Sequence, residues 1–147
     1  MPQSAAEVAD RMRAVASDRV RSRELLATLF AEDVAIHHVP PGPNDGSIPG
    51  SRLAAISQQE VEALGRALPD AVHEDPVITV EGEAVRVRGR TSGTLPDGTA
   101  IEVRTNTLFT VTDGVIVGLE SDMDAESSSA WRRVLTSGGF EVPSQES

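Results

Sequence analysis

The stretch AVRVRGRTSGTLPDGTAIEVRTNTLFTVTDGVIVGLESDM, Ala84–Met123, decides the fold. It divides into three strand-like segments, Ala84–Thr94, Ala100–Val111 and Val115–Met123. Apolar residues take odd positions: Val85 and Val87; Ile101, Val103, Phe109 and Val111; Val115, Val117, Leu119 and Met123. Even positions carry Arg86, Arg88, Arg90, Glu102, Arg104, Glu120 and Asp122. This is the period-two pattern of an antiparallel sheet with one buried face. Pro96-Asp97-Gly98 and Thr112-Asp113-Gly114 each read as a three-residue turn ending in a left-handed Gly. The register they set puts Gly89 beside Thr105 beside Ser121. A buried sheet centre normally carries Val, Ile or Phe. A row of Gly, Thr and Ser there predicts a ligand cavity instead of solid packing. Thr107, Phe109, Leu119 and Met123 lie on the same face and complete the expected substrate-binding set. In the same register Arg104 faces Asp122 and Arg90 faces Arg104. The outer face is therefore expected to carry an ion network, solvated or within a dimer interface.

Outward from this stretch the chain changes character. Ser4-Ala5-Ala6-Glu7 has capping-box spacing before the helical pattern of Val8, Met12 and Val15. Arg23–Phe30 reads as a second short helix and Asp33–Val39 as a first strand. Pro40 and Pro41 cannot donate to a strand ladder, so Pro40–Ser51 is expected to be a long loop over the site. Ser57-Gln58-Gln59-Glu60 is a second capping-box match, opening a helix through about Ala67. Val77–Val80 is a further strand, and Ser127–Leu135 a closing helix. Helices followed by antiparallel strands argue an α+β fold with helices on one sheet face. One domain, 1–137, and a flexible tail, 138–147, are expected.

Composition removes several functions. The 147 residues suffice for one core. A net charge of −10 disfavours nucleic acid and anionic membrane as partners. No apolar run reaches spanning length, and the start is amphipathic and unlike a signal peptide, so a cytoplasmic protein is expected. Cysteine is absent, which excludes disulfides, thiolate catalysis and zinc–sulfur sites. All 13 basic residues are Arg, which excludes a lysine Schiff base and fits a GC-rich, bacterial genome. No nucleophile-elbow pattern occurs.

The order of elements resembles the nuclear-transport-factor-two-like superfamily, and within it the SnoaL-like polyketide cyclases and ketosteroid isomerases. The residues that carry the resemblance are Leu29–His38 (LFAEDVAIHH), Leu68-Pro69-Asp70 and Leu108–Val117 (LFTVTDGVIV), within a span from about Ala5 to Leu135. The resemblance implies a cone-shaped curved antiparallel sheet, closed by about three helices around a central pocket and usually paired as a homodimer. It also implies functional positions. The general-base Asp that ends the first strand in ketosteroid isomerases is replaced here by His38. Their oxyanion Tyr falls near Ala14, and their second Asp at Thr107 or Asn106. The acidic residue on the last strand of cyclase-like members falls at Ser121, with Asp122 beside it. Any chemistry would have to be rebuilt on His38.

His38 follows Val34 and Ile36 on one strand face, so it is expected to point where they do. An imidazole can give or take a proton at neutral pH. His37 points the opposite way and only His73 remains, so neither a metal site nor any other cofactor is expected. Asp70, His73 and Glu74 follow a Leu-Pro break and read as surface turn residues, with a carboxylate orienting His38 as the minority reading. Trp131 reads as a core or interface anchor. Two functions follow. The first is a proton-moving cyclase or isomerase, acting on an apolar, oxygen-bearing small molecule with His38 as acid/base. The second is a non-catalytic ligand-binding or dimeric interaction module of the same fold.

Overall fold

The computed structural model describes residues 4–39 and 45–139. Most of the expected Pro40–Ser51 loop's first half, and the tail from residue 140, lie outside the described residues. Helix α1 (Ala5–Ala14) opens on the expected capping box: the Ser4 hydroxyl accepts from Glu7 N–H, and the Glu7 carboxylate accepts from Ser4 N–H. Helix α2 (Arg19–Leu29) is capped by Asp18 and passes directly into strand β1 (Phe30–Val39). Strand β2 (Gly46–Pro49) pairs back antiparallel on β1, so the second half of the expected loop is a strand. Helix α3 runs from Gly50 to Ala67 with Pro49 as its N-cap. Ser57 and Glu60 are therefore interior residues of a longer helix, and the capping box expected at Ser57 does not form. Short strands β3 (Val72–His73) and β4 (Val77–Glu81) precede the long strands β5 (Ala84–Thr94), β6 (Ala100–Thr112) and β7 (Val115–Asp122). Helix α4 (Ala125–Ser137) closes the described chain.

The seven strands form one sheet in the order β2-β1-β7-β6-β5-β3, with β4 also paired to β5. The α+β cone is as expected. The sheet, however, is mixed, because β1 runs parallel to β7. A chain that goes from β1 to β7 through the rest of the fold can enter that sheet position in either direction; here it enters parallel.

The β5–β6 hairpin has the expected register, Gly89 opposite Thr105 and Arg90 opposite Arg104, around the three-residue loop Pro96-Asp97-Gly98. The β6–β7 hairpin does not. Its turn is the two-residue Asp113-Gly114, both with positive φ (51° and 80°), and Thr112 pairs with Val115. This is the turn whose twist matches that of the flanking strands. A bulge then interrupts the ladder: Val111 pairs with Ile116 but Thr110 with Gly118, which leaves Val117 as the extra residue. Each departure moves the register by one. Ser121 therefore lies beside Thr107, not Thr105. Asp122 likewise loses Arg104, whose guanidinium bonds Asp124 at 3.2 Å and Glu102 at 3.2 Å instead. Arg86 bonds Glu81 and, at 2.7 Å, Asn106. Past the end of β7, the fully buried Ser127 of α4 takes over from the missing strand: its Oγ accepts from Arg104 N–H at 2.9 Å.

Two separate apolar clusters fill the interior. The first joins α1 (Val8, Met12) to Val34, Ile36, Ile78, Val85, Phe109, Val111 and Ile116. The second joins the end of α3 (Leu64, Ala67, Leu68) to Leu95 and to Val134 of α4. Helices α3 and α4 approach closely along the second cluster. A Cβ placed on the buried Gly138, the C-cap of α4, would lie far inside 3.0 Å of the Ala63 carbonyl.

Candidate functional site

Several elements change composition between the two clusters. Along α3 the inward stripe runs Leu53, Ile56, Glu60, Leu64, Ala67; the first pair packs on one cluster and the last pair belongs to the other. Strand β5 passes from Val85 and Val87 to Leu95 by way of Gly89. Strand β6 passes from Phe109 to Ile101 by way of Thr107 and Thr105. Strands β1 and β7 leave the first cluster at Ile36 and Leu119 and reach His38 and Ser121. A belt of polar and small residues, half-buried except for the exposed Thr105, thus stands between the two apolar clusters.

The pairing fixes neighbours within that belt. Strand β1 is regular from Ala35 to Val39, and Val34 and Ile36 are buried on the face that His38 shares. His38 lies beside Ser121, Ser121 beside Thr107, and Thr107 beside Val87. The row below is Ile36, Leu119, Phe109 and Val85. Phe109 is only 6% exposed and Leu119 packs against the first cluster, so these two form the apolar floor. Gly89 and Thr105 form the next pair outward on the other side. Near a Cβ placed on Gly89, the only described atom within 4 Å is Thr105 Oγ1, at 3.0 Å; no bulky side chain fills the space. Thr105 is exposed, and Met123, just past β7, is half-buried.

His38 is oriented by a residue the sequence reading missed. Its Nδ1 lies 2.5 Å from Asp45 Oδ1, and its backbone N–H donates to the same oxygen at 3.1 Å. A carboxylate can only accept, so in the neutral imidazole the proton sits on Nδ1 and the Nε2 lone pair is left to act as a base. Among the described residues, Nε2 has no hydrogen-bond partner. Asp45 directly precedes β2, whose antiparallel pairing with β1 sets Gly46 opposite Ile36. Asp70 does not serve this purpose. It accepts from Thr94 N–H at 3.0 Å, and that bond holds its carboxyl below the usual carboxylate range. His73 Nδ1 pairs with Thr91 Oγ1 at 2.9 Å.

A second titratable group lies on the helix side. Glu60 of α3 lies within electrostatic reach of Arg23 of α2 and of His38, and the Trp131 side chain of α4 is near enough to favour its charged form. Burial pushes the Glu60 carboxyl above its ordinary value, and Arg23, Trp131 and His38 offset only part of this. Burial likewise pushes the Arg23 guanidinium down, with Glu60 pulling it back. Arg23 is held in place by donating to Ser57 Oγ at 2.8 Å. The sequence signal was a Glu within an apolar stripe of helical period, Leu53-Ile56-Glu60-Leu64. Trp131 packs against the second cluster, as an anchor should.

Among the described residues, no three His, Asp or Glu side chains converge as a metal-ligand set, and no helix is long and apolar enough to cross a membrane. A shallow open depression lies elsewhere, between the start of α1 and the β6–β7 turn, lined by Ser4, Val80 and Asp113 among others. It is remote from His38 in the fold and contains no candidate proton-transfer group of the belt.

The mixed, unclosed sheet with its helices is an α+β cone, the fold of solved structures described as NTF2-like. Residues 8–119 match the family model described as a SnoaL-like domain, and the chain belongs to that family. Its fold is similar to an NTF2-like protein from Burkholderia thailandensis (TM-score 0.63, 17% identity, 88% of this chain and 98% of that one). It is also similar to a protein from Mesorhizobium loti described as a SnoaL-like polyketide cyclase (TM-score 0.60, 18% identity, 81% and 98%). A third similar structure is an LEH-like epoxide hydrolase from M. tuberculosis (TM-score 0.57, 16% identity, 95% and 94%). No curated protein matches the chain in sequence.

Proposed function

We propose that this chain is a cofactor-independent proton-transfer enzyme whose substrate is a small, largely apolar, oxygen-bearing molecule, bound in the belt between the two apolar clusters. The observation that carries this reading is the His38–Asp45 pair on the inward face of β1. Asp45 fixes the tautomer, His38 Nε2 takes and returns the proton, and the Ser121 and Thr107 hydroxyls lie next along the row to steady the substrate oxygen. Such donors act strongly on developing charge where water is excluded. Gly89 leaves room, and Ile36, Leu119 and Phe109 supply an apolar floor. The similarity to proteins described as a cyclase and an epoxide hydrolase is consistent with chemistry on oxygenated small molecules.

The test is isotope exchange. The protein is incubated in deuterium oxide with a panel of small cyclic ketones, and loss of the C–H signal next to the carbonyl is followed by proton NMR. Exchange faster than in buffer is expected for at least one ketone. Equal exchange with native and with heat-unfolded protein across the panel would remove the enzyme reading and leave a binding module.

A further inference from the structure

Glu60 is out of place by ordinary packing rules. A carboxylate rarely sits half-buried in an apolar stripe without a close ionic partner, as Glu60 does. Glu60 occupies the inward stripe of α3, at the point where that stripe passes from one apolar cluster to the other. Three elements converge on it: α2 through Arg23, β1 through His38, and α4 through Trp131. His38 and Arg23 are the charged or titratable groups that reach it among the described residues, with Asp45 behind His38. Arg23 is tied to Ser57, one turn before Glu60 on the same helix face.

We propose that Glu60 is the second proton-transfer group of the site, donating from the helix side while His38 accepts from the sheet side. This rests on the proton-transfer reading of His38. It narrows the substrate class to molecules that lose a proton at carbon and gain one at a nearby oxygen, as an enolisable ketone does. In that step His38 Nε2 takes the proton from the carbon next to the carbonyl. The C–H electron pair becomes the C=C bond of the enol, and the carbonyl oxygen takes the proton held by Glu60, whose O–H pair stays on the carboxylate. Reversal returns the oxygen's proton to Glu60 and the proton on His38 to carbon, the same one or another, and restores both groups. A carboxyl whose ionisation burial disfavours is suited to hold that proton near neutral pH.

Two measurements test the assignment, and the first needs no substrate. In protein labelled with carbon-13 at the glutamate carboxyls, Glu60 is expected to titrate above the other glutamates, with Glu60→Gln or, should that variant not fold, Glu60→Asp identifying its signal. Linkage gives a companion result. The native state holds the Glu60 proton more tightly than the unfolded state does, so ionised Glu60 costs stability once the pH rises above the ordinary carboxylate range. Glu60→Gln should therefore melt above the wild type at about pH 8 and level with it at about pH 4. In the ketone-exchange assay Glu60→Gln should lose about 10²-fold in kcat with little change in KM. Titration of Glu60 together with the other glutamates would overturn the inference, as would Glu60→Gln exchanging as fast as a wild type that does exchange; the latter would leave the His38 reading standing. A wild type that exchanges no ketone brings down both.

Discussion

Replacing His38 by Ala is expected to lower the ketone-exchange rate by about 10²–10⁴-fold, the usual loss when a positioned acid/base is removed. The variant should fold normally, for reasons visible around the residue. The His38 side chain is 36% exposed, so little apolar burial is lost. Asp45 keeps its second bond, because the donor there is the backbone N–H of residue 38, which Ala retains. The pairing of β1 with β2 should therefore survive. His37→Ala is the matched control: the adjacent side chain is exposed on the opposite sheet face and should leave exchange unchanged. A circular-dichroism melt beside each rate separates lost chemistry from lost structure.

Gly138→Ala is expected to destabilise the fold by about 1–3 kcal/mol or more, the range for forcing atoms into a packed seam. Backbone strain is not the reason, since Gly138 has a negative φ of −83° that Ala can adopt. The obstacle is the Ala63 backbone, whose carbonyl, carbonyl carbon and Cα all crowd the position of the new methyl. Backbone atoms of a helix interior cannot rotate aside as a side-chain tip can. Helix α4 would have to slide off α3, weakening the bond from Arg66 Nε to the Gly138 carbonyl (2.6 Å) and the packing of Val134 on Leu64 and Ala67. It would carry Trp131 away from Glu60 as well. Gly65→Ala, on the exposed side of α3 with open space around it, should instead stabilise by about 0.4–1 kcal/mol. The same substitution on the same pair of helices should thus change sign, and urea midpoints read both.

The sheet was largely legible because alternation and turn residues are local signals. Val85 to Val111 kept their face, and Pro96-Asp97-Gly98 set the β5–β6 register. The β6–β7 register was not legible. Asp113-Gly114 could close a loop of two or three residues, and nothing in the residues around Val117 announces a bulge. The two departures sum to two residues, so Ser121 kept its face while its neighbour changed from Thr105 to Thr107. His38 shares a strand face with Val34 and Ile36 because β1 is regular from Ala35 onward. The rest of the site was hidden for two reasons. Ser57-Gln58-Gln59-Glu60 has the spacing of a capping box, and that local signal hid a helix that begins at Gly50 and turns Glu60 inward. Asp45 meets His38 only through the antiparallel pairing of β2 with β1, a contact that periodicity along the chain does not specify. Contacts among α2, α3 and α4 are tertiary, and a single sequence does not specify them.

A binding site between the two apolar clusters has one direct signature. The imidazole carbon–proton NMR signals of His37 and His38 are recorded while small cyclic ketones and phenols are titrated in. Saturable movement of His38 with His37 stationary is the expected result, because the two neighbours face opposite sides of one strand. Movement of His37 alone, or of neither across the series, would contradict it.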